Sequence, residues 1–331
     1  MVKSVKGADK PMDELNQSFE SKPTALFRRK KKVPQAFDRL LAPSAETRQE
    51  WGGKLVSCLA ILLIGGLVLT LFAFLINKGL ALFTTNKFSL GEFLTSTDWR
   101  PSHHHYGALP MITTSFAVTV LAGVLALPLA LVSAIAITEL LPNWVYRVLQ
   151  PVIELLVGIP SVVYGYVGLT VIVPQLGRMF GGTGFGILAA TCVLFLMILP
   201  TMTSMTIDNL RQVPKQYRLA SAGLGATRWQ TISRVVVPSA KSGILTAMVF
   251  GMARAFGEAL AVQMVIGNAA IMPAGLMSSS ATLTSVLTTG IGNTVMGTVS
   301  NNALWSLALL LLLMSLAFNL VLRLISRKGV R

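Results

Sequence analysis

Charge is what this chain has least of. Only 12% of its 331 residues are Asp, Glu, Lys or Arg, against roughly 25% in an average soluble domain, while 53% are hydrophobic. That composition excludes an ordinary soluble globular domain and indicates an integral membrane protein. Acidic residues are scarcer than basic ones, 13 against 28, which leaves a net charge of +15. Such a surplus can mark nucleic-acid binding, but that needs a basic face on a soluble fold with stacking aromatics. Here the basic residues lie between apolar runs instead. Cysteine is limited to Cys58 and Cys192, both inside apolar runs. Neither has the paired spacing of a metal site or the loop placement of an extracellular disulfide, so both are expected to be buried thiols. No cleavable leader is evident, because about fifty polar residues precede the first apolar run, and that run is expected to stay as a transmembrane helix. The chain also lacks G-x-x-x-x-G-K-[ST], HExxH and GxSxG, so no phosphate loop, zinc-protease helix or nucleophile elbow is in view.

What is present is long apolar sequence. Six runs reach spanning length, at residues 55–76, 109–137, 151–173, 185–205, 243–266 and 303–324. The expected fold is an all-α membrane protein, a polytopic bundle of six transmembrane helices. An even number of spans puts both termini on one side. Twelve Lys and Arg fall in residues 1–54, six in 208–241 and four after residue 321, with few between, so the positive-inside rule makes both termini and the 208–241 loop cytoplasmic. Two regions follow: a basic cytoplasmic tail, 1–50, expected to be disordered from its polar composition, and a transmembrane domain, 51–331. The tail's FRRKKK at 27–32 is read either as a topology signal or as an anionic-lipid contact.

Several features have ordinary readings. The consecutive His103, His104 and His105 cannot converge on a metal without a folded loop and a second ligand cluster, so no metal site is expected. Glu139, Glu154 and Asp208 fall near span ends, where solvated charges are common. Pro128, Pro160 and Pro200 lie within spans two to four. Each removes a helical hydrogen bond, and with Gly158 and Gly165 they suggest helices that bend around a path. The segment 268–302 reads equally as re-entrant helices or as a loop.

The cytoplasmic loop is longer than its neighbours and should have a task. Pro214 is placed to open a helix over 216–224, Gly223 and Gly225 to end it, and an amphipathic piece over 227–237 to stop at Pro238. Two short helices joined at a glycine turn make a knob that a soluble partner could grip, or a pair lying on lipid. The stretch YRLASAGLGATRWQTISRVVVP resembles the EAA loop of ABC importer permeases, whose coupling helix docks on the ATPase subunit. Ala220, Gly225 and Pro238 match that pattern, while Leu219 stands where the family usually has glutamate and Ser221 replaces the second alanine. The resemblance implies that Leu219, Ala220, Ser221, Gly223, Gly225 and Pro238 form the ATPase-coupling element.

The fifth run holds two charges, in ARAFGEAL. Arg254 lies about eleven residues into the run, near mid-bilayer, and Glu258, one turn further, is expected to share its face. A charge at that depth costs at least about 2.5 to 3.5 kcal/mol, so the pair either fixes packing or marks a transport path. A guanidinium suits two oxygens of a tetrahedral oxyanion, and a neighbouring carboxylate accepts a proton from that anion's own hydroxyl. Phosphate meets both demands, whereas fully ionised sulfate has no proton to offer.

GMARAFGEALAVQMVIGN, GIPSVVYGYVGL and YGALPMITTSF together resemble phosphate-specific permeases of the PstC type, over about residues 50–331. The resemblance implies a type I ABC importer fold and Arg254 and Glu258 on the substrate path, with no catalytic residue in this chain. It implies as partners a second homologous permease, two ATPase subunits that use ATP-Mg, and an extracytoplasmic phosphate-binding protein. No cofactor is expected on this chain, and its place is the cell membrane. The alternatives are an importer of another oxyanion, such as molybdate, sulfate or phosphonate, or an ion-coupled secondary transporter, for which no inverted repeat is visible.

Overall fold

The computed structural model describes residues 45–328, so the FRRKKK stretch and most of the basic tail lie outside the described residues. The chain divides into two units, 1–68 and 69–331. Helix α1 (Ala45–Thr84) crosses that division, and helix is already present at residues 45–50. Over 55–69 its apolar side chains point outward, Leu55, Ile61, Leu62 and Leu69 among them, as a helix meant for lipid or another subunit would present them. Cys58 shares that outward surface, so it is not the buried thiol expected from its apolar surroundings; Cys192 is half-buried. An apolar run marks lipid as readily as core, and composition alone does not separate the two.

After α1, Ser89 caps the short α2 (Leu90–Thr95), and β1 (Trp99–Arg100) pairs antiparallel with β2 (His105–Tyr106). The three histidines form the exposed tip of this ribbon, with His104 at φ +58°. Tyr106 turns inward beneath Trp99 and Phe88, both edge-on at 5.7 Å. The long helices follow: α3 (Leu109–Ile135), α4 (Asn143–Gly158), α5 (Ser161–Val167), α6 (Val173–Phe180) and α7 (Ile187–Gln212). The cytoplasmic-loop pieces are α8 (Lys215–Gly223), α9 (Arg228–Thr231) and α10 (Val237–Ser239). The last four are α11 (Lys241–Phe256), α12 (Leu260–Val265), α13 (Leu283–Gly290) and α14 (Val299–Lys328).

Among the described residues four helices are long and apolar enough to span a membrane, and counting each of two bent pairs as one span gives six. The pair 144–158 and 161–180 is bent by 89°, and the pair 228–239 and 241–256 by 64°. The third run is therefore not one straight span. Pro160 has no N–H for the carbonyl of Leu156, and the residue before a proline is pushed out of the helical region; Ile159 has ψ 129°. The fifth run is likewise interrupted, because α11 ends at Phe256 and α12 starts at Leu260.

Three widened turns also precede prolines. The N–H groups of Leu141, Val173 and Val237 each reach back five residues, to the carbonyls of Ala136, Gly168 and Ile232, and the next residue in each case is a proline. At Val173 and Val237 the bulge lets the chain stay helical through the proline, whose ring would otherwise meet the preceding turn, whereas at Leu141, with ψ 152°, the helix ends before Pro142. For this reason Pro238 does not end the second loop piece: helix runs through it to Ser239.

Small residues hold the centre together. Ala122, Ala126, Ala130 and Ala134, at four-residue spacing on α3, are all fully buried, and the first three join Val193, Leu194, Met197, Ile198 and Met202 of α7 in one core. In lipid, close backbone approach replaces the hydrophobic effect as the source of association, and alanine stripes allow it. At one end a second core joins Leu82, Phe93, Tyr106 and Met111 to Leu283 of α13 and Leu304 of α14. Segment 268–302 is thus mostly loop plus the eight-residue α13, capped by a reciprocal Thr282 and Ser285 pair and too short to span.

Candidate transport path and coupling surface

The 89° bend after Gly158 takes the i+4 partners from the carbonyls at the end of α4, although Leu156 O still accepts from Ile159 N at 3.3 Å. Two side chains donate to these carbonyls. The Tyr164 hydroxyl donates to Leu156 O at 2.9 Å, and Arg254 Nη2 donates to Val157 O at 3.5 Å. The other guanidinium nitrogen, Nη1, donates to Thr201 Oγ1 on α7 at 2.9 Å. Thr201 is buried and Arg254 half-buried. The helix end contributes partial negative charge, but no carboxylate lies within ion-pair distance of Arg254 among the described residues.

Arg254 is placed there by glycine. A Cβ on Gly251 would lie 2.5 Å from Met202 Cγ, so α11 can meet α7 at this depth only because Gly251 has no side chain. Gly123 of α3 faces Met252 in the same way, with 2.8 Å to its Cγ.

Glu258 does not share a helix face with Arg254. The helix stops one residue before Gly257, and Glu258 sits in the break, where its Oε1 accepts from Ala261 N at 3.1 Å and so satisfies a free donor at the start of α12. Glycine's low helix propensity and this alternative partner for the carboxylate together stop the run that the pattern continues. The carbonyl of Glu258 accepts from the Thr284 hydroxyl at 2.9 Å, and Thr284 lies with Thr282, Ser285 and Ser115 in a buried hydroxyl cluster at the start of α13.

The residues expected to couple to an ATPase separate into two faces. Leu219 and Leu224 are 73% and 89% exposed, and Ala220 is exposed beside them. Ser221 points the other way, buried, with its hydroxyl 2.9 Å from that of Thr231, so the hydroxyl has a use that alanine would not supply. The end of α8 is a Schellman turn: Gly225 N donates to Ala222 O and Ala226 N to Ser221 O, with Gly225 at φ +78°. Only glycine takes that conformation at little cost. Gly223 faces open space, and Pro238 sits in the first turn of α10. Thr227 and Gln230 form a capping box for α9.

The residue beneath α8 belongs to no sequence motif. Glu139 is no solvated span-end charge: its carboxylate is 12% exposed and accepts from Arg218 Nη2 at 2.6 Å and Nε at 3.4 Å. The same Arg218 donates to Val213 O at 2.8 Å and Leu210 O at 3.0 Å, closing the end of α7, and Arg228 donates to the Glu139 carbonyl. These groups border a cavity of about 970 Å³ that also meets Arg211 and Lys215. The one available hint was that Glu139 is the sole acidic residue between spans two and three. By contrast Glu154 is exposed and bonded only to Gln150, as its position suggested.

Comparison with known proteins decides the family. Residues 126–329 match the binding-protein-dependent transport system inner membrane component family. The chain belongs to that family. The permease is 50% identical over 298 residues to the Bacillus subtilis (strain 168) protein named "Probable ABC transporter permease protein YqgH", covering 88% of this chain and 96% of that one. It is 32% identical over 301 residues to the phosphate transport system permease protein PstC of Mesorhizobium japonicum, covering 83% and 90%. A bacterial ABC transporter involved in the import of the acidic polysaccharide alginate matches the permease's structure with a TM-score of 0.61, over 86% of this chain and 97% of that one. At 13% identity that likeness speaks to fold, and the fold is that of a type I ABC importer permease. The permease is accordingly a multi-pass membrane protein and a transport component.

Proposed function

We propose that the permease forms, with a second homologous permease, the path by which inorganic phosphate enters the cell. In this reading two ATPase subunits dock on α8, an extracytoplasmic binding protein delivers the anion, and both termini are cytoplasmic. The observation that carries it is Arg254: a permanent cation between α4, α7 and α11, whose hydrogen-bond partners among the described residues are a threonine hydroxyl and a carbonyl. Neutral acceptors leave its charge uncompensated, and an oxyanion supplies what they do not. The similarity to PstC proteins supports phosphate as the anion, while the relative from Bacillus subtilis has a name that specifies no cargo.

Movement of α8 driven by ATP favours one state of the bundle over the other. In one state Thr201 and Val157 hold the guanidinium. In the other the passing anion replaces them, and their return competes for the guanidinium and assists release. Glu258 places a carboxylate beside the path that accepts a hydrogen bond from a protonated oxyanion and repels a fully ionised one. Uptake of labelled phosphate by the reconstituted complex, challenged with unlabelled phosphate, sulfate or molybdate, tests the cargo. Competition by phosphate alone supports this reading. Equal competition by sulfate or molybdate assigns the permease to another oxyanion.

A further inference from the structure

We propose that Arg218, fixed by Glu139, is the residue through which movement of α8 enters the membrane helices. The proposal rests on α8 being the ATPase-docking helix. Its basis is that one guanidinium joins three elements: it lies on α8, pairs with the carboxylate in the widened turn that ends α3, and donates to the Val213 and Leu210 carbonyls at the end of α7. A planar fork makes all these bonds at once, and a single ammonium does not reproduce that geometry. Arg228 holds the Glu139 carbonyl and Ser221 holds Thr231, so α8 and α9 are fastened to the same point. On the outer face of α8 Leu219, Ala220 and Leu224 remain uncovered, which separates the surface that receives a partner from the side chains that anchor the helix.

The anchored helices are the ones that matter for the path. The alanine stripe of α3 packs along α7, and α7 carries Thr201, the hydroxyl partner of Arg254. Arg211 at the end of α7 stacks over Tyr146 of α4, 3.2 Å from the ring centroid, and α4 supplies the Val157 carbonyl. A displacement of α8 therefore shifts both groups that hold Arg254. Exposed loop charges exchange partners easily; this pair, 25% and 12% exposed, is shielded enough to act as a fixed joint.

The test uses the full complex in proteoliposomes, with phosphate-loaded binding protein added outside, and reads the stimulation of ATP hydrolysis together with ATPase co-purification. Arg218→Ala and Glu139→Gln should retain the ATPase and its basal hydrolysis but lose at least about fivefold in stimulation, the lower end of ordinary coupling energies. Arg218→Lys, which keeps the charge without the fork, should fall between them and wild type, and it carries the test if Arg218→Ala fails to reach the membrane. Undiminished stimulation with the ATPase still bound overturns the proposal and leaves docking on α8 intact. Loss of the ATPase from these variants overturns it too, since Arg218 would then act in docking. Should bulky changes on the outer face, such as Ala220→Asp, leave ATPase binding unaltered, the docking reading itself fails.

Discussion

The guanidinium of Arg254 donates to the hydroxyl of Thr201 on another helix, 2.9 Å away, and not to Glu258, four residues along its own chain. Two charges that share a sequence motif thus have separate structural partners. The arginine closes the broken end of α4, and the carboxylate opens α12. Each role can be removed without the other.

Thr201→Val keeps the shape of the side chain and deletes the acceptor. The loss of a hydrogen bond to a charged group should cost about 1.5 to 3 kcal/mol. A lower melting temperature of the purified complex for Thr201→Val, with Thr201→Ser close to wild type, is the expected result. Equal melting for all three would show that Thr201 contributes nothing to holding the guanidinium.

Glu258→Gln preserves an oxygen that accepts from Ala261 N but removes the charge, whereas Glu258→Ala removes both. The alanine variant should lose about 1 kcal/mol of stability, the usual worth of a helix cap. The glutamine variant should melt like wild type yet transport more slowly. If both variants transport normally, the carboxylate serves the fold alone.

Gly251 permits the contact that sets Arg254 against α7. Gly251→Ala places a methyl 2.5 Å from Met202 Cγ, an overpacking expected to cost about 1 to 3 kcal/mol. Combining it with Met202→Ala vacates that space, so the double variant should be less destabilised than the sum of the two single changes, measured as a double-mutant cycle in detergent.

At the coupling surface, Gly225→Pro cannot adopt φ +78°, because proline fixes φ near −65°. With its Schellman turn broken, the α8 knob should release the ATPase. Pull-down of the membrane-inserted variant is expected to recover the permease without its ATPase, and Ala220→Asp should behave alike.

Much of this was legible in the sequence, and the limits are physical. Apolar length picked out the four helices long enough to span and parts of the two bent pairs, and Pro160 marked the third run as bent, because a missing N–H is written in the residue itself. The break at 257–259 was not legible: ARAFGEAL has helical spacing, and only the competing bond from Ala261 N to Glu258 shows why the helix stops. Pro238 was read as a stop because a widened turn that absorbs a proline leaves no local signature. The joint between Glu139 and Arg218 links residues 79 apart in the chain, across a tertiary contact that a helical period cannot encode. The helix α8, by contrast, was visible from Pro214 to the glycines at 223 and 225, since caps and turns are local.

In the proposed path Arg254 meets the anion in transit. The most direct measurement is uptake of labelled phosphate by cells whose only permease of this kind carries Arg254→Gln, at matched membrane abundance. Losing one charged donor to an oxyanion should lower uptake by roughly a hundredfold, with Arg254→Lys retaining part of it. Uptake at the wild-type rate by the glutamine variant would contradict the claim.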